Sequence, residues 1–322
     1  HTLEFQSQDH VGNQEILVST QVWVDSTPPE PALAQSGTFY DASAPDGPRI
    51  YASAGAEYAL KSLDPEPRGA ASGVAWTGYR TSSGAFKTYV STFNLLEGVQ
   101  LVEFQSQDRV ANLEAVKSAT YYVDAAPPDA ALIIGEPKVE LELGGTVFVS
   151  ALTTFSVLAQ DPESHGFASG LKSSEYRLDG GGFTAYAGPF SVSTEGAHSV
   201  VLLSRDNVLN ERVSSAPAIV VDASPPAFGS LSPSAGERYL AEGGTITVAF
   251  QVSDRYDPAP RFEAFLVQRE DFGTPSNGRP ALMSVTTGQM IAPEELDDGV
   301  WELAVSATDF VRNSSAAIGG RF

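Results

Sequence analysis

The sequence predicts an all-β chain of tandem antiparallel β-sandwiches, about seven strands each, on three observations. A phrase close to "EFQSQDHVGN" at Glu4 returns as "EFQSQDRVAN" at Glu103, and weaker copies follow at intervals near 100 residues. Apolar residues within the phrase alternate with polar ones, the period of a strand with one buried face. The chain of 322 residues is rich in Gly (29) and Pro (21) and shows no segment of helical period.

The phrase is anchored by an Asp with an Asn four residues on: Asp9/Asn13, Asp108/Asn112, Asp206/Asn210 and Asp309/Asn313, spaced 99, 98 and 103 residues apart. That period belongs to separate small domains, not to solenoid units of about 20–50 residues. Ahead of each anchor, Phe5, Phe104, Leu202 and Val305 stand four residues back, and Leu3, Val102, Val200 and Leu303 six back. Between them lie Glu4, Gln6, Glu103 and Gln105, whereas the third copy places Val201 and Leu203 there, so its outer face is expected to be partly covered. The loop, "DHVGN" in the first copy, carries Gly and Asn, which tolerate the positive φ of a tight turn. A second strand then ends in "QVWVD", "TYYVD" or "AIVVD", so the phrase is a β-hairpin. It stops at paired linker prolines, Pro28/Pro29, Pro127/Pro128 and Pro225/Pro226, because proline gives no ladder N–H.

Upstream, "EYALKSLDPE" (57–66), "FSVLAQDPE" (155–163) and "TVAFQVSD" (247–254) each read as a strand entering an acidic loop. "ASGV" at Ala71 and "ASGL" at Ala168 open the next strand, and "DGGGF" at Asp179 is a turn between strands. An acid–Gly pair precedes the last three anchors: Glu97-Gly98, Glu195-Gly196 and Asp298-Gly299. Seven short strands in just under 100 residues make a sandwich of immunoglobulin type. The expected boundaries are 1–27, the C-terminal hairpin of a truncated unit; 28–126 and 127–224, immunoglobulin-like domains; and 225–322, a divergent one lacking the Ser-Gly-Val and Tyr-Arg marks. The stretch thus reads as a window on a longer array.

The run "EYRLDGGGFTAYAGPFSVSTEGAHSVVLLSRDNVLNE" with its "VDASPP" resembles the immunoglobulin-like repeats of long bacterial cell-surface and secreted proteins, and is similar to modules appended to secreted glycosidases. The resemblance covers nearly the whole chain. It implies an extracellular or surface location, a non-catalytic spacer role in a stalk, adhesin or filament, and adjacent repeats or self-associating fibres as partners. The other role it implies is accessory binding, of carbohydrate or protein, beside a secreted enzyme.

A net charge of −21 disfavours nucleic acid and anionic lipid, and no apolar run approaches the length of a membrane helix. Cysteine is absent, which excludes disulfides and thiolate metal sites. Neither a nucleophile elbow nor a phosphate loop nor H-E-x-x-H occurs, and His1 and His198 share a repeat position filled elsewhere by Gln100 and Trp301. These histidines are expected to be surface strand residues, and no catalysis is expected. Trp76 and Tyr79 are the candidates for a sugar-stacking face, and Trp23, Tyr121 and Tyr122 for core or joint packing. The repeated acids are the stronger signal. Sandwich topology brings each linker Asp near two loops of the next unit, gathering Asp25, Asp64, Glu66 and Asp108; Asp124, Asp161, Glu163 and Asp206; and Asp222, Asp254, Asp257 and Asp309. Crowded carboxylates repel unless neutralised, and flexible oxygen-rich loops suit Ca2+ between domains. Without metal, the same residues serve as turn caps: the anchor Asp over its own hairpin amides, the linker Asp in an Asx turn before the prolines.

Overall fold

A computed structural model describes residues 1–45, 47–67, 69–82, 84–140, 145–239, 244–271 and 282–322. Among them every regular element is a strand except one 3₁₀ turn, Pro293–Glu295. The fold is a series of immunoglobulin-like β-sandwiches. By contacts the chain forms two compact units, one of His1–Asp129, Ala159–Ser174 and Ser204–Arg212, the other of Ala130–Leu158, Glu175–Leu203 and Val213–Phe322.

In the first unit, strand Gly98–Asp108 pairs antiparallel with Lys117–Asp124 on one side and Val74–Thr81 on the other. The alternation holds as read: Val102, Phe104, Ser106 and Asp108 are buried, and the residues between them lie partly open. A hairpin, Phe39–Ala44 with Gly47–Ser53, extends this sheet, and Gly47–Ser53 runs parallel to Lys117–Asp124. Alternation within a strand carries no information about its partner's direction, so this parallel pair adds to the expected antiparallel plan. The facing sheet is Glu30–Ser36, Glu57–Leu63 and Phe93–Asn94. Between the layers sit Tyr58, Leu60, Val102, Phe104, Tyr121 and Val123. Each such side chain contributes about 1.5–3 kcal/mol on burial. Strands Thr2–Phe5 and Val18–Gln21 form the opening hairpin, whose Leu3 and Phe5 are exposed, whereas Val102 and Phe104 at the same repeat positions are core.

The second unit repeats the plan. Thr146–Ser150 lies parallel to Ala218–Asp222, with Gly196–His198 antiparallel on the latter's other side. Its core is built on Val147, Val149, Phe155, Val200, Leu202, Ile219 and Val221. Leu203 on the outward parity is buried, as its apolar character led us to expect. A further sheet, Leu282–Ser284, Arg261–Asp271, Gly299–Thr308 and Ser314–Arg321, covers a separate core of Ile246, Val248, Leu266, Ile291, Trp301, Leu303 and Val305. Part of this region's extra length, 272–281, lies outside the described residues.

The linker prolines divide by their place in the pair. Pro28 and Pro127 are half-buried and Pro225 is exposed, as befits a connecting stretch, whereas Pro29, Pro128 and Pro226 are buried. Each of these three stands directly before the strand that follows, Glu30–Ser36, Asp129–Ile134 or Ala227–Phe228. The carbonyls of Pro128 and Pro226 accept from Ser204 Oγ, at 2.9 Å, and from Ser315 Oγ. Pro29, Pro128 and Pro226 thus pack where each connecting stretch enters the strand it precedes. A proline at a strand's start forfeits no ladder bond, and its apolar ring gains by being covered.

Candidate functional site

The site grows out of the anchor loop. Asp108 N donates to Asn112 O at 3.1 Å and Ala111 N to Asp108 O, which closes a β-turn. The residue before the Asn adopts positive φ in every copy: Gly12 (+91°), Ala111 (+72°), Leu209 (+68°) and Arg312 (+70°). The Asn itself does not, contrary to the expectation that its tolerance of positive φ explains its place. Its side chain is what the loop uses. Asn112 Nδ2 donates to Asp108 Oδ2 at 2.7 Å and to the carbonyl of the linker residue Asp25 at 3.2 Å. Asn210 Nδ2 bonds Asp206 Oδ2 at 2.7 Å and Asp124 O at 3.0 Å; Asn313 Nδ2 bonds Asp309 Oδ2 at 2.8 Å and Asp222 O at 2.9 Å. Asn313 heads an N-S-S triplet, but this amide is already engaged in the joint.

Asn13 departs from the other three. It closes its own loop in the same way, with its backbone N on Asp9 Oδ1 at 2.9 Å and Nδ2 on Asp9 Oδ2 at 2.8 Å. Yet it is exposed, and among the described residues its side chain reaches no linker carbonyl.

The Asp side chains cap amides as the metal-free reading predicts. Asp108 Oδ1 accepts from Val110 N and Asn112 N; Asp25, Asp124 and Asp222 each accept through Oδ1 from the amide two residues on, an Asx turn before the prolines. Each linker Asp also meets two others. One oxygen apiece from Asp25, Asp64 and Asp108 lies within 4.8 Å of the others, and the same holds for Asp124, Asp161 and Asp206 and for Asp222, Asp254 and Asp309. Nine of the twelve expected acids therefore converge, while Glu66, Glu163 and Asp257 stand outside the triads: Glu66 and Glu163 are exposed, and Asp257 caps Ala259 N.

The Ala-Ser-Gly loop, legible only as a strand opening, supplies an amide pair that straddles two carboxylates. Ser72 N donates to Asp25 Oδ2 at 2.7 Å and Gly73 N to Asp64 Oδ2 at 2.6 Å; Ser169 N donates to Asp124 Oδ2 at 2.7 Å and Gly170 N to Asp161 Oδ2 at 2.8 Å. One buried carboxylate oxygen per triad has no hydrogen-bond partner: Asp64 Oδ1, Asp161 Oδ1 and Asp222 Oδ2. Burial, with the charges of Asp124 and Asp206 adding to it and the Gly170 amide opposing, pushes Asp161 up to about 6. Burial and the charges of Asp254, Asp309 and Glu195 likewise take Asp222 up to about 6. Asp25, nearer solvent, is held below the usual range by the amides of Thr27 and Ser72.

Beside the triads, Tyr51 and Tyr122 pack against Phe167 and Val208, and Phe148 packs against Tyr256 and Phe310. The acid–Gly pairs act here too: Glu97 accepts from Ser164 Oγ, and Glu195 from Ser224 Oγ and from Arg255 at 2.7 Å. Tyr121 is core, while Trp23, at the repeat position of Tyr122, is exposed among the described residues. Trp76 and Tyr79 do not share a face. Three residues apart on one strand they have opposite parity, and Tyr79 stacks on Phe93 at 4.0 Å while Trp76 meets Phe86, so the sugar-stacking face is corrected. His198 is corrected as well, from a surface residue to a side chain 8% exposed that bonds Asp179 and Thr194 O, each at 2.7 Å.

No protein-family model matches the chain, and no curated protein matches it. Among solved structures it is similar to a calcium-stabilised adhesin that helps an Antarctic bacterium reach out and bind ice, at 14% identity over 99% of this chain and 80% of that one, TM-score 0.33. A tetra-tandem repeat from the extending region of a large adhesion protein matches at 18% identity over 99% of this chain and 80% of that one, TM-score 0.29. Three N-terminal domains of the bacteriophage RB49 highly immunogenic outer capsid protein match at 11% identity over 90% and 98%, TM-score 0.40.

Proposed function

We propose that the chain is a non-catalytic, semi-rigid spacer, a segment of an extracellular bacterial stalk, adhesin or filament, with one sandwich in each of 28–126, 127–224 and 225–322. The observation that carries this reading is the hook from anchor Asn to linker carbonyl, made three times with the same atoms. A flexible tether between modules needs no such bond. A spacer that transmits orientation does, because a proline-stiffened linker fixes its own path but not the rotation of the next module. The aromatic packing and the Glu195–Arg255 pair beside the hooks support the same role. The triads are where a divalent cation of the joints would be held, by Asp25, Asp64 and Asp108, by Asp124, Asp161 and Asp206, and by Asp222, Asp254 and Asp309. Three oxygens within 4.8 Å of one another are near the spread that ligands of one Ca2+ at about 2.3–2.6 Å can have, and the partnerless oxygens leave lone pairs open to it. When bound, the ion would cancel the mutual repulsion of the aspartates.

The test is residual dipolar couplings on the whole chain. The native sandwiches at each hook should report one alignment tensor. Asn112→Ala and Asn210→Ala should each separate the tensors across the altered hook and cost about 1–3 kcal/mol for two lost hydrogen bonds. Independent tensors in the native chain would defeat the spacer reading.

A further inference from the structure

Where strand Gly299–Thr308 begins and Ser314–Arg321 ends, the last sandwich carries a cavity of about 350 Å3 that neither the hooks nor the triads use. Its floor is apolar: Trp301, Leu296 and Ile246 are all buried, and the indole is fixed by its Nε1, which donates to Asp297 O at 3.0 Å. Tyr239 and Phe322 are partly open walls, edge to face with centroids 5.8 Å apart. The backbone ties one wall to the floor, since Trp301 N donates to Phe322 O at 3.0 Å and Phe322 N to Trp301 O at 2.9 Å. Asp297 and Asp298 add the charge, and no basic residue lines the cavity among the described residues. Arg321, next to Phe322, is turned to Glu270 at 3.7 Å and Glu302 at 3.6 Å. Aromatic faces are electronegative, so rings beside carboxylates favour a cation with a flat or apolar body.

The repeat position of Asp298 indicates which cation. Its equivalents, Glu97 and Glu195, are both met by later loops: Glu97 by Ser164 Oγ, Glu195 by Ser224 Oγ and by Arg255 Nη1 at 2.7 Å. That guanidinium also lies 5.1 Å from the ring centre of Tyr256. Asp298 is exposed, and among the described residues no donor reaches its carboxylate. The other cation–ring contacts among the described residues are made by arginine too: Arg49 on Tyr122, Arg80 on Phe86 and Arg177 on Phe183. A guanidinium is planar and weakly hydrated, so it stacks on a ring while its N–H fork bonds a carboxylate; an ammonium is a strongly hydrated point charge. We propose that this cavity receives an arginine side chain of a partner protein, stacked on Tyr239 and Phe322 and paired with Asp298. The site shares no residue with the hooks or the triads, so the inference stands apart from the spacer reading.

The experiment titrates the whole chain with N-acetyl-arginine amide at about 150 mM KCl, where surface charge is screened over about 8 Å. NMR follows the Trp301 indole N–H and the Asp298 amide. Both should shift saturably, and the amide of the remote, exposed Glu66 should not. N-acetyl-citrulline amide, of the same shape without the charge, should leave all three in place. Asp298→Asn and Tyr239→Leu should each weaken binding about two-fold or more, whereas Glu66→Gln leaves it unchanged. Because Asp298 is exposed, Asp298→Asn folds as the parent does and keeps the test sound if Tyr239→Leu loosens its wall. No saturable shift, an equal shift with the citrulline amide, or binding unchanged in Asp298→Asn would each overturn the proposal. Tighter binding of free arginine would make the ligand the amino acid itself, and tighter binding of tetramethylammonium would make the cavity a cage for methylated amines. A Trp301 shift on diluting the chain alone would make the occupant a second copy. Each of these three results also overturns the assignment to a partner's arginine.

Discussion

His198 shows how one side chain takes its charge from its setting. Both ring nitrogens face acceptors, Nδ1 the Asp179 carboxylate and Nε2 the Thr194 carbonyl, and only an imidazolium satisfies both as a donor. Burial pulls its pKa down, but the bonds to Asp179 and to Thr194 O, with the charge of Asp179, outweigh it and hold the value above the ordinary 6.5. A base whose folded pKa lies above its unfolded one contributes stability that is complete below about 6.5 and is lost as pH rises through the folded value. The urea midpoint of this region should therefore step down as pH rises past about 6.5, and His198→Gln should flatten the step; a midpoint independent of pH from 6 to 9 in the native chain would contradict the assignment. Nothing in the sequence announced the pair. Asp179 sits in "DGGGF" nineteen residues away, and a contact between a turn and a strand of ordinary composition leaves no periodic trace. The Asp and Asn of the hooks were legible for the opposite reason: they recur in phase, and repetition turns a local cap into a pattern.

Strands and turns were readable where parity or chain breakers decide them, and less so where the backbone does. The acid–Gly position illustrates this. Gly98 and Gly196 occupy positive φ, +114° and +119°, a region that costs an L-residue about 1–2 kcal/mol. Gly299 stands at the same repeat position with no positive φ, yet a Cβ there would lie 2.2 Å from the carbonyl oxygen of Glu270. One glycine is kept for its torsion and the other for the closeness of a neighbouring strand, where Arg261–Asp271 shifts register against Gly299–Thr308. Gly98→Ala should lose about 1–2 kcal/mol with little change around it, since its nearest neighbours are 3.8 Å or more away. Gly299→Ala should lose about 1–3 kcal/mol and shift the amide resonances of the Glu270 strand. Equal, purely local effects in both would contradict the distinction. The Ala-Ser-Gly loop was opaque in the same way: its contribution is two backbone N–H groups, and any residue type carries those. The proline pairs marked where each strand stops, but not that Pro29, Pro128 and Pro226 are buried while their partners are not, because a breaker's effect on the ladder is the same on either side of the boundary.

At the scale of the whole chain, the spacing of about 100 residues foretold separate cores, and three clusters with no residue in common answer to it: one around Tyr58 and Val102, one around Phe155 and Leu202, one around Leu266 and Leu303. The loops that meet the preceding linker were legible from their acids; the aromatic packing beside them, Phe167 on Tyr122 and Phe148 on Phe310, was not, since Phe167 and Phe148 have no common repeat phase. Separate cores joined by hooks make a definite thermodynamic claim. Leu266 is fully buried, and Leu266→Ala removes its transfer energy and leaves a cavity, together about 2–5 kcal/mol. Because Leu266 belongs to a cluster that shares no residue with the other two, that loss should fall mainly on residues 225–322. Hydrogen exchange followed by mass spectrometry should then show protection lost around Leu266 and Leu303 and kept at Val102 and Leu202. Coupling enters through the contacts at this joint, the Asn313 bond to Asp222 O, the packing of Phe148 on Tyr256 and Phe310, and the Glu195–Arg255 pair, so a smaller, secondary loss is expected at strands Ala218–Asp222 and Thr146–Ser150. Adding Asn313→Ala to Leu266→Ala should reduce the part of that secondary loss that reaches Ala218–Asp222 through the hook. Uniform loss of protection over all three cores would mean that the chain folds as one cooperative body and that the spacing of its repeats does not mark thermodynamic units.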